Sequence, residues 1–226
     1  MKGFIIGIEG TDGSGKQTQT NKLLERLLSD GKDVIRQSFP NYESESSGPV
    51  RMYLNKELSE TSDEISAYQA SMFYAVDRFC TYKAGFGKEY NKGKIIIMDR
   101  YVQSNMLHQA CKISDLQERD KFLNWLEDIE FDLFELPKPD IVVFLDMPVE
   151  VNLKLMEGRQ FKTGNTKDLH EQDSTHLEKA YNAGKYVAQK YGWLVISCVD
   201  KDGNVRTRED IHEEIYSKIK DKIGLN

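Results

Sequence analysis

Gly10-Thr11-Asp12-Gly13-Ser14-Gly15-Lys16 follows the apolar run Phe4-Ile5-Ile6-Gly7-Ile8 and leads into Lys16 to Leu28, where Leu23, Leu24, Leu27 and Leu28 recur at helical spacing. A buried strand, a glycine-rich loop and a helix in that order make a P-loop, and Gly10 and the Gly15-Lys16 pair stand at its spacing. Glycines let the backbone curl so that successive N–H groups point into an anion-sized hollow, and the helix dipole adds partial positive charge. The stretch Gly10, Thr11, Asp12, Gly13, Ser14, Gly15, Lys16, Gln17 and Thr18 is therefore expected to cradle the phosphates of a nucleoside triphosphate, with Lys16 reaching the β- and γ-phosphates. A tight turn with a chance lysine is the bland alternative. One position departs from the pattern: the residue after the lysine is ordinarily Ser or Thr, whose hydroxyl holds Mg²⁺, and here Gln17 stands there, followed by Thr18. A glutamine carbonyl or a water can fill a magnesium position.

Outward from this loop, apolar runs alternate with helix-like stretches. Val34-Ile35 begins a second short strand, ended by Phe39-Pro40; Ile95-Ile96-Ile97-Met98, Ile141 to Leu145 and Leu194-Val195-Ile196 read as three more. Ile65 to Tyr82 and Ile211 to Ile223 are helical candidates. Continuous rather than alternating apolar strands mean burial on both faces of a parallel sheet, and strands separated by helices mean right-handed crossovers. The expected fold is α/β: a three-layer P-loop fold with a five-stranded parallel sheet flanked by helices, in one domain over residues 1–226. The polar stretch from Gly158 to Asp173 reads as a lid at about 157–173, or as a plain solvated loop.

Composition narrows the setting. The chain has 226 residues, of which 39% are apolar and 30% charged, enough for one substantial core. A net charge of −6 argues against a nucleic-acid-binding surface, and no apolar run reaches the length of a membrane helix. Cys80, Cys111 and Cys198 are widely spaced and fit neither a disulfide framework nor a zinc pattern, so a cytoplasmic location is expected.

Three further segments narrow the chemistry. Asp12 is an acid inside the loop, Phe39-Pro40-Asn41-Tyr42 follows the second strand, and Asp99-Arg100-Tyr101 ends the third, with Tyr74-Ala75-Val76-Asp77-Arg78 between them. In order and spacing these resemble the thymidylate kinase family, and the resemblance runs from about Phe4 to the last helix. It implies transfer of a phosphoryl group from ATP to dTMP with Mg²⁺, by a homodimer whose partners are small nucleotides. It also implies roles. Asp12 would accept from the deoxyribose 3′-hydroxyl. Tyr74 would stack on thymine, although Phe73 next to it competes for the alignment, and Arg78 would donate to a thymine carbonyl. Tyr74 and Arg78 are four apart and share a helix face.

Arg100 would clamp the acceptor phosphate, Asp99 would organise Mg²⁺, and Phe39 and Tyr42 would line the acceptor. Asn105 and Gln109 match base-contacting positions. His108 stands where many members carry Tyr or Phe over the sugar; taken alone it reads as an ordinary helix-surface residue. Gly13 leaves the P-loop without a basic side chain, so the resemblance implies cations from the lid. Arg159 matches one, whereas the later Asp-Arg pair reads Asp168-Leu169, followed by His170-Glu171, with Lys162 and Lys167 as substitutes. The rivals are a kinase of another deoxynucleoside or its monophosphate, motivated by His108, and a nucleotide-binding regulator without catalysis, motivated by Gln17 and Leu169. A GTPase switch is weaker, since the chain has no Asn-Lys-x-Asp motif.

Overall fold

A computed structural model describes residues 2–59, 61, 64–163 and 174–224, with the side chains of 157–163 and 174 outside the description. Its centre is a parallel sheet of β1 (Phe4–Glu9), β2 (Val34–Ser38), β3 (Ile95–Asp99), β4 (Ile141–Asp146) and β5 (Leu194–Ser197), in the order β2-β3-β1-β4-β5. β1 lies between β3 and β4, with Ile8 in register with both Asp99 and Val143. The loop after β1 and the motif after β3 therefore leave the sheet side by side. The strand order reverses here, where open α/β sheets bind ligands at the strands' C-terminal ends.

Successive side chains of a strand point to opposite faces, which splits the apolar runs into two cores. Ile6, Ile8, Ile97 and Val143 pack on Leu23 and Leu27 of α1 (Lys16–Ser29) and on Ile211 and Ile215 of α9 (Arg208–Ile219). Ile5, Ile96 and Met98 face the other way, against Met106 of α5 (Val102–His108), Leu123 of α6 (Leu116–Glu127) and Val187 of α8 (Ser174–Lys190). The remaining helices are α2 (Gly48–Leu54), α3 (Ala67–Thr81), α4 (Gly87–Asn91) and α7 (Val149–Thr163). Among the described residues no helix is long and apolar enough to cross a membrane.

Two helices differ at their ends from the periodicity. α3 starts at Ala67 rather than Ile65, because the Ser66 hydroxyl accepts from the Gln69 N–H and the Gln69 side chain accepts from the Ser66 N–H, at 3.2 and 2.9 Å. This capping box ends the chain's freedom one residue before the helix. α9 starts earlier than expected, at Arg208, where Thr207 caps it by accepting from the Asp210 N–H. Helix α7 runs to Thr163, so the backbone of the first part of the expected lid is helical. The rest of that stretch, 164–173, lies outside the described residues.

An ion pair ties α3 to the segment after α6. Arg78 and Glu130 have side chains that are 1% and 0% exposed. Arg78 Nε donates to Glu130 Oε2 at 2.9 Å, and its Nη2 donates to Oε1. Burial holds the Glu130 carboxyl above its ordinary range despite the charge beside it. Removing one partner of such a pair strands the other charge in the interior. Glu130→Gln is expected to cost about 3 kcal/mol, read as a lower denaturation midpoint at unchanged slope.

Candidate active site

The P-loop curls as its glycines allow. Gly10 and Gly13 have φ of +152° and +81°, and a Cβ at Gly10 would lie 2.7 Å from Ser14 Oγ. At Gly13 a Cβ would collide with Oδ1 of Asn152, which α7 places over the loop. The Asn152 amide donates to Thr11 Oγ1 at 3.1 Å and to the Asp12 carbonyl. Lys16 lies beneath, buried, donating to the Thr11 carbonyl at 2.8 Å and 3.9 Å from the Asp12 carboxylate. Burial, and then the like charge of Arg100, push Lys16 down to about 8, against the pull of Asp12, Asp99 and Glu9. Gln17 is exposed, while Thr18 lines a cavity of about 1100 Å³ beside Gly13, Ser14 and Gly15. Lys154 of α7 and Arg208 bring positive charge to that cavity, and Arg206 lines it while paired with Asp210 and Glu214.

Arg100 takes the left-handed conformation, with φ +67°. This turn sends its guanidinium back over the P-loop, where Nη2 pairs with Asp12 Oδ1 and Nη1 lies 3.1 Å from His108 Nε2. Against burial, the carboxylates of Asp12, Glu9 and Asp99 raise the Arg100 pKa. Glu9, at the end of β1, fixes the start of α5 by accepting from the Tyr101 N–H at 2.8 Å and the Ser104 hydroxyl at 2.7 Å. Burial pushes Glu9 up to about 7, opposed first by the Ser104 hydrogen bond and the Arg100 charge. Asp99 is held by Arg36 of β2, whose Nη2 donates to Oδ2 at 2.7 Å.

On the far side of Arg100 a cavity of about 530 Å³ opens between α3 and α5. Asp12 and Arg100 form one end. Phe39 and the half-exposed Tyr42 lie along one wall, and Tyr74 and Arg78 come from α3. Phe73 and Tyr74 both pack on Tyr53, with ring centroids 6.2 and 6.5 Å away, and of the two it is Tyr74 that lines the cavity. Arg78 also lines it, although its Nε and Nη2 are spent on Glu130. Asn105, His108 and Gln109 close the opposite wall. Asn105 donates to the Ser71 carbonyl at 3.4 Å, and Gln109 Oε1 is buried with no hydrogen-bond partner. His108 is 7% exposed, contrary to the surface position that its sequence alone offers, because α5 is enclosed by α8. The side chain of Arg159 lies outside the described residues, as do Lys162, Lys167 and Asp168 to Glu171.

Glu9, Arg36, Glu130 and Asn152 escape sequence reading. Glu9 leaves the clearest trace, an acid directly after five apolar strand residues and before Gly10. Arg36 shows only as a charge within a short strand, and Glu130 and Asn152 leave no local signal. Among the described residues no cluster of three or more His, Cys, Asp or Glu could cage a metal ion.

The family model for thymidylate kinase matches residues 8–208. Thymidylate kinase of Mycobacterium tuberculosis is 31% identical over 203 residues, covering 86% of this chain and 92% of the relative. Thymidylate kinase of Halothermothrix orenii is 28% identical over 222 residues, covering 97% and 98%. The solved thymidylate kinase of Candida albicans superposes with a TM-score of 0.75 at 20% identity over 100% of this chain and 94% of its own, a likeness of fold. The cation pair over the P-loop, the cavity beside it and the match along most of the sequence agree: this chain belongs to the thymidylate kinase family.

Proposed function

We propose that this chain transfers the γ-phosphoryl group of ATP to dTMP, giving ADP and dTDP, in one P-loop kinase domain. One observation carries the residue assignment: Lys16 and Arg100 flank the same carboxylate, Asp12, with an open pocket on each side. ATP lies in the cavity beside Gly13, Gly15 and Thr18, and dTMP in the cavity beneath Tyr74 and Asn105. The acceptor is already a phosphate oxyanion, so the reaction needs no strong general base. It needs two anions aligned and their repulsion cancelled. Lys16 follows the transferring group, and Arg100 holds the acceptor phosphate and stabilises charge in the transition state. Tyr74 supplies a ring face for the base, and the open Gln109 carbonyl and the Asn105 amide supply its edge. Arg159 is assigned to the donor phosphates on the family match alone.

Mg²⁺ belongs to this reading: bound to the ATP phosphates it would neutralise charge there, with Asp99 as its protein carboxylate. Arg36 approaches only Oδ2 of Asp99, which leaves the acid engaged through one oxygen. A cytoplasmic location is supported by the three cysteines, widely spaced thiols of which Cys80 lies exposed. A homodimer is supported by exposed apolar residues on α3 and α6, namely Tyr68, Val76 and Leu116.

ADP release measured with dTMP, dUMP, dGMP, dCMP, UMP and thymidine offered separately is expected to favour dTMP; turnover of another acceptor with none of dTMP would sink the proposal. Lys16→Ala is expected to lower kcat on the order of 100-fold or more, and unchanged turnover would remove Lys16 from the mechanism. ATP binding also has a proton signature. Free Lys16 loses its proton as pH rises through about 8, and phosphate oxygens favour the charged amine. Binding at pH 8.5 is therefore expected to take up protons, and binding at pH 6.5 is not to do so through Lys16, a difference that calorimetry in buffers of different ionisation heat detects.

A further inference from the structure

Arg100, the acceptor clamp of that reading, has a second anchor. Its Nη1 lies 3.1 Å from His108 Nε2. A guanidinium offers only donors, so His108 Nε2 accepts and the neutral ring carries its proton on Nδ1. That Nδ1 faces His176 Nε2 at 3.5 Å, with the two rings side by side and nearly coplanar, their centroids 5.7 Å apart and their planes at 17°. His176 Nε2 is then an acceptor too, and its proton sits on Nδ1, which points at Cys111 Sγ 3.8 Å away. The Cys111 thiol donates in turn to the His108 carbonyl at 3.2 Å. So ordered, the contacts run from Arg100 through α5 into α8 and back. His108, His176 and Cys111 are all buried.

We propose that His176 is a positioning residue for the acceptor site: by accepting from His108 Nδ1–H, it keeps Nε2 bare toward Arg100. In the opposite tautomer, His108 would turn an N–H toward the Arg100 N–H, donor against donor. Arg100 would keep its pairing with Asp12 and lose the contact that sets the guanidinium's second edge. His176 itself borders on none of this chemistry, since it is absent from the cavity wall that His108 and Arg100 form. A merely structural His176 would fill the gap between α5 and α8, and any ring of similar size would do that equally well. The proposal rests on the 530 Å³ cavity being the dTMP site.

The test separates the two claims. Long-range nitrogen–proton spectra of the full chain with labelled histidine, taken without nucleotide, report which nitrogen of His108 carries the proton. The His108 signals are identified by their loss in a His108→Gln sample. The native chain is expected to show the Nδ1–H form of His108. His176→Phe keeps a ring beside His108 without an acceptor. It is expected to admit the Nε2–H form and to raise KM for dTMP about tenfold, the size of one hydrogen bond, with KM for ATP unchanged. His176→Gln places an amide oxygen near the lost Nε2 and is expected to restore the Nδ1–H form and most of the affinity; His176→Leu stands in if the Phe variant does not fold. An Nε2–H tautomer in the native chain, or equal dTMP kinetics in the Phe and Gln variants, overturns the proposal. A native Nδ1–H tautomer in a protein that transfers nothing to dTMP supports the hydrogen-bond order and overturns the acceptor assignment instead.

Discussion

Lys16 and Arg100 are like charges drawn toward one carboxylate, that of Asp12. Lys16 is buried at the start of α1, and the Arg100 side chain just after β3 is 21% exposed, so solvent screens the pair only in part. The carboxylates of Glu9, Asp12 and Asp99 are threaded among them, and Arg36 brings a further cation to Asp99. Burial pushes Glu9 up and Lys16 down, so each is held closer to its neutral form than it would be in water. Nucleotide phosphates would replace the carboxylates as partners, so the site is built around charges that a ligand can relieve.

The fold supplies that arrangement because β1 is central. Its C-terminus delivers Glu9 and the P-loop, and its neighbour β3 delivers Asp99 and Arg100 at the same level of the sheet. Glu9 then acts across the gap, holding the first turn of α5 through Tyr101 and Ser104. That turn carries Asn105 and His108 to the cavity wall. One buried acid thus links the phosphate loop to the wall that would read the base, and rigid elements rather than loops carry most of the contacts.

Much of this was legible in the residues. Continuous apolar runs located the strands, because a strand buried on both faces has no polar alternation to blur it. The glycine spacing marked the P-loop, and the family resemblance assigned Tyr74, Arg78, Arg100 and Asn105 to one acceptor; the structure sets these four side chains around one cavity. What stayed hidden has two physical causes. Helix α5 is buried on every side, from Val102 to His108, so it shows no amphipathic period and His108 looked like a surface residue. Polar pairs between distant segments leave no local pattern: Arg36 meets Asp99 63 residues on, Arg78 meets Glu130 52 residues on, and Asn152 reaches back 141 residues to Thr11. Each partner alone reads as a solvated charge or amide.

The contact between Asn152 and Gly13 has a consequence for how such a sequence can change over time. A basic side chain at position 13 would put a permanent cation beside the donor phosphates. Here that position is shut twice, by a left-handed backbone and by the amide oxygen that sits where a Cβ would go. A single substitution at 13 meets both obstacles, and shortening Asn152 first forfeits its bonds to Thr11 and Asp12 before any charge is gained. The two positions are therefore coupled: what a side chain at 13 costs depends on what stands at 152. A lineage that holds Asn152 is steered toward drawing its donor-side charge from outside the phosphate loop.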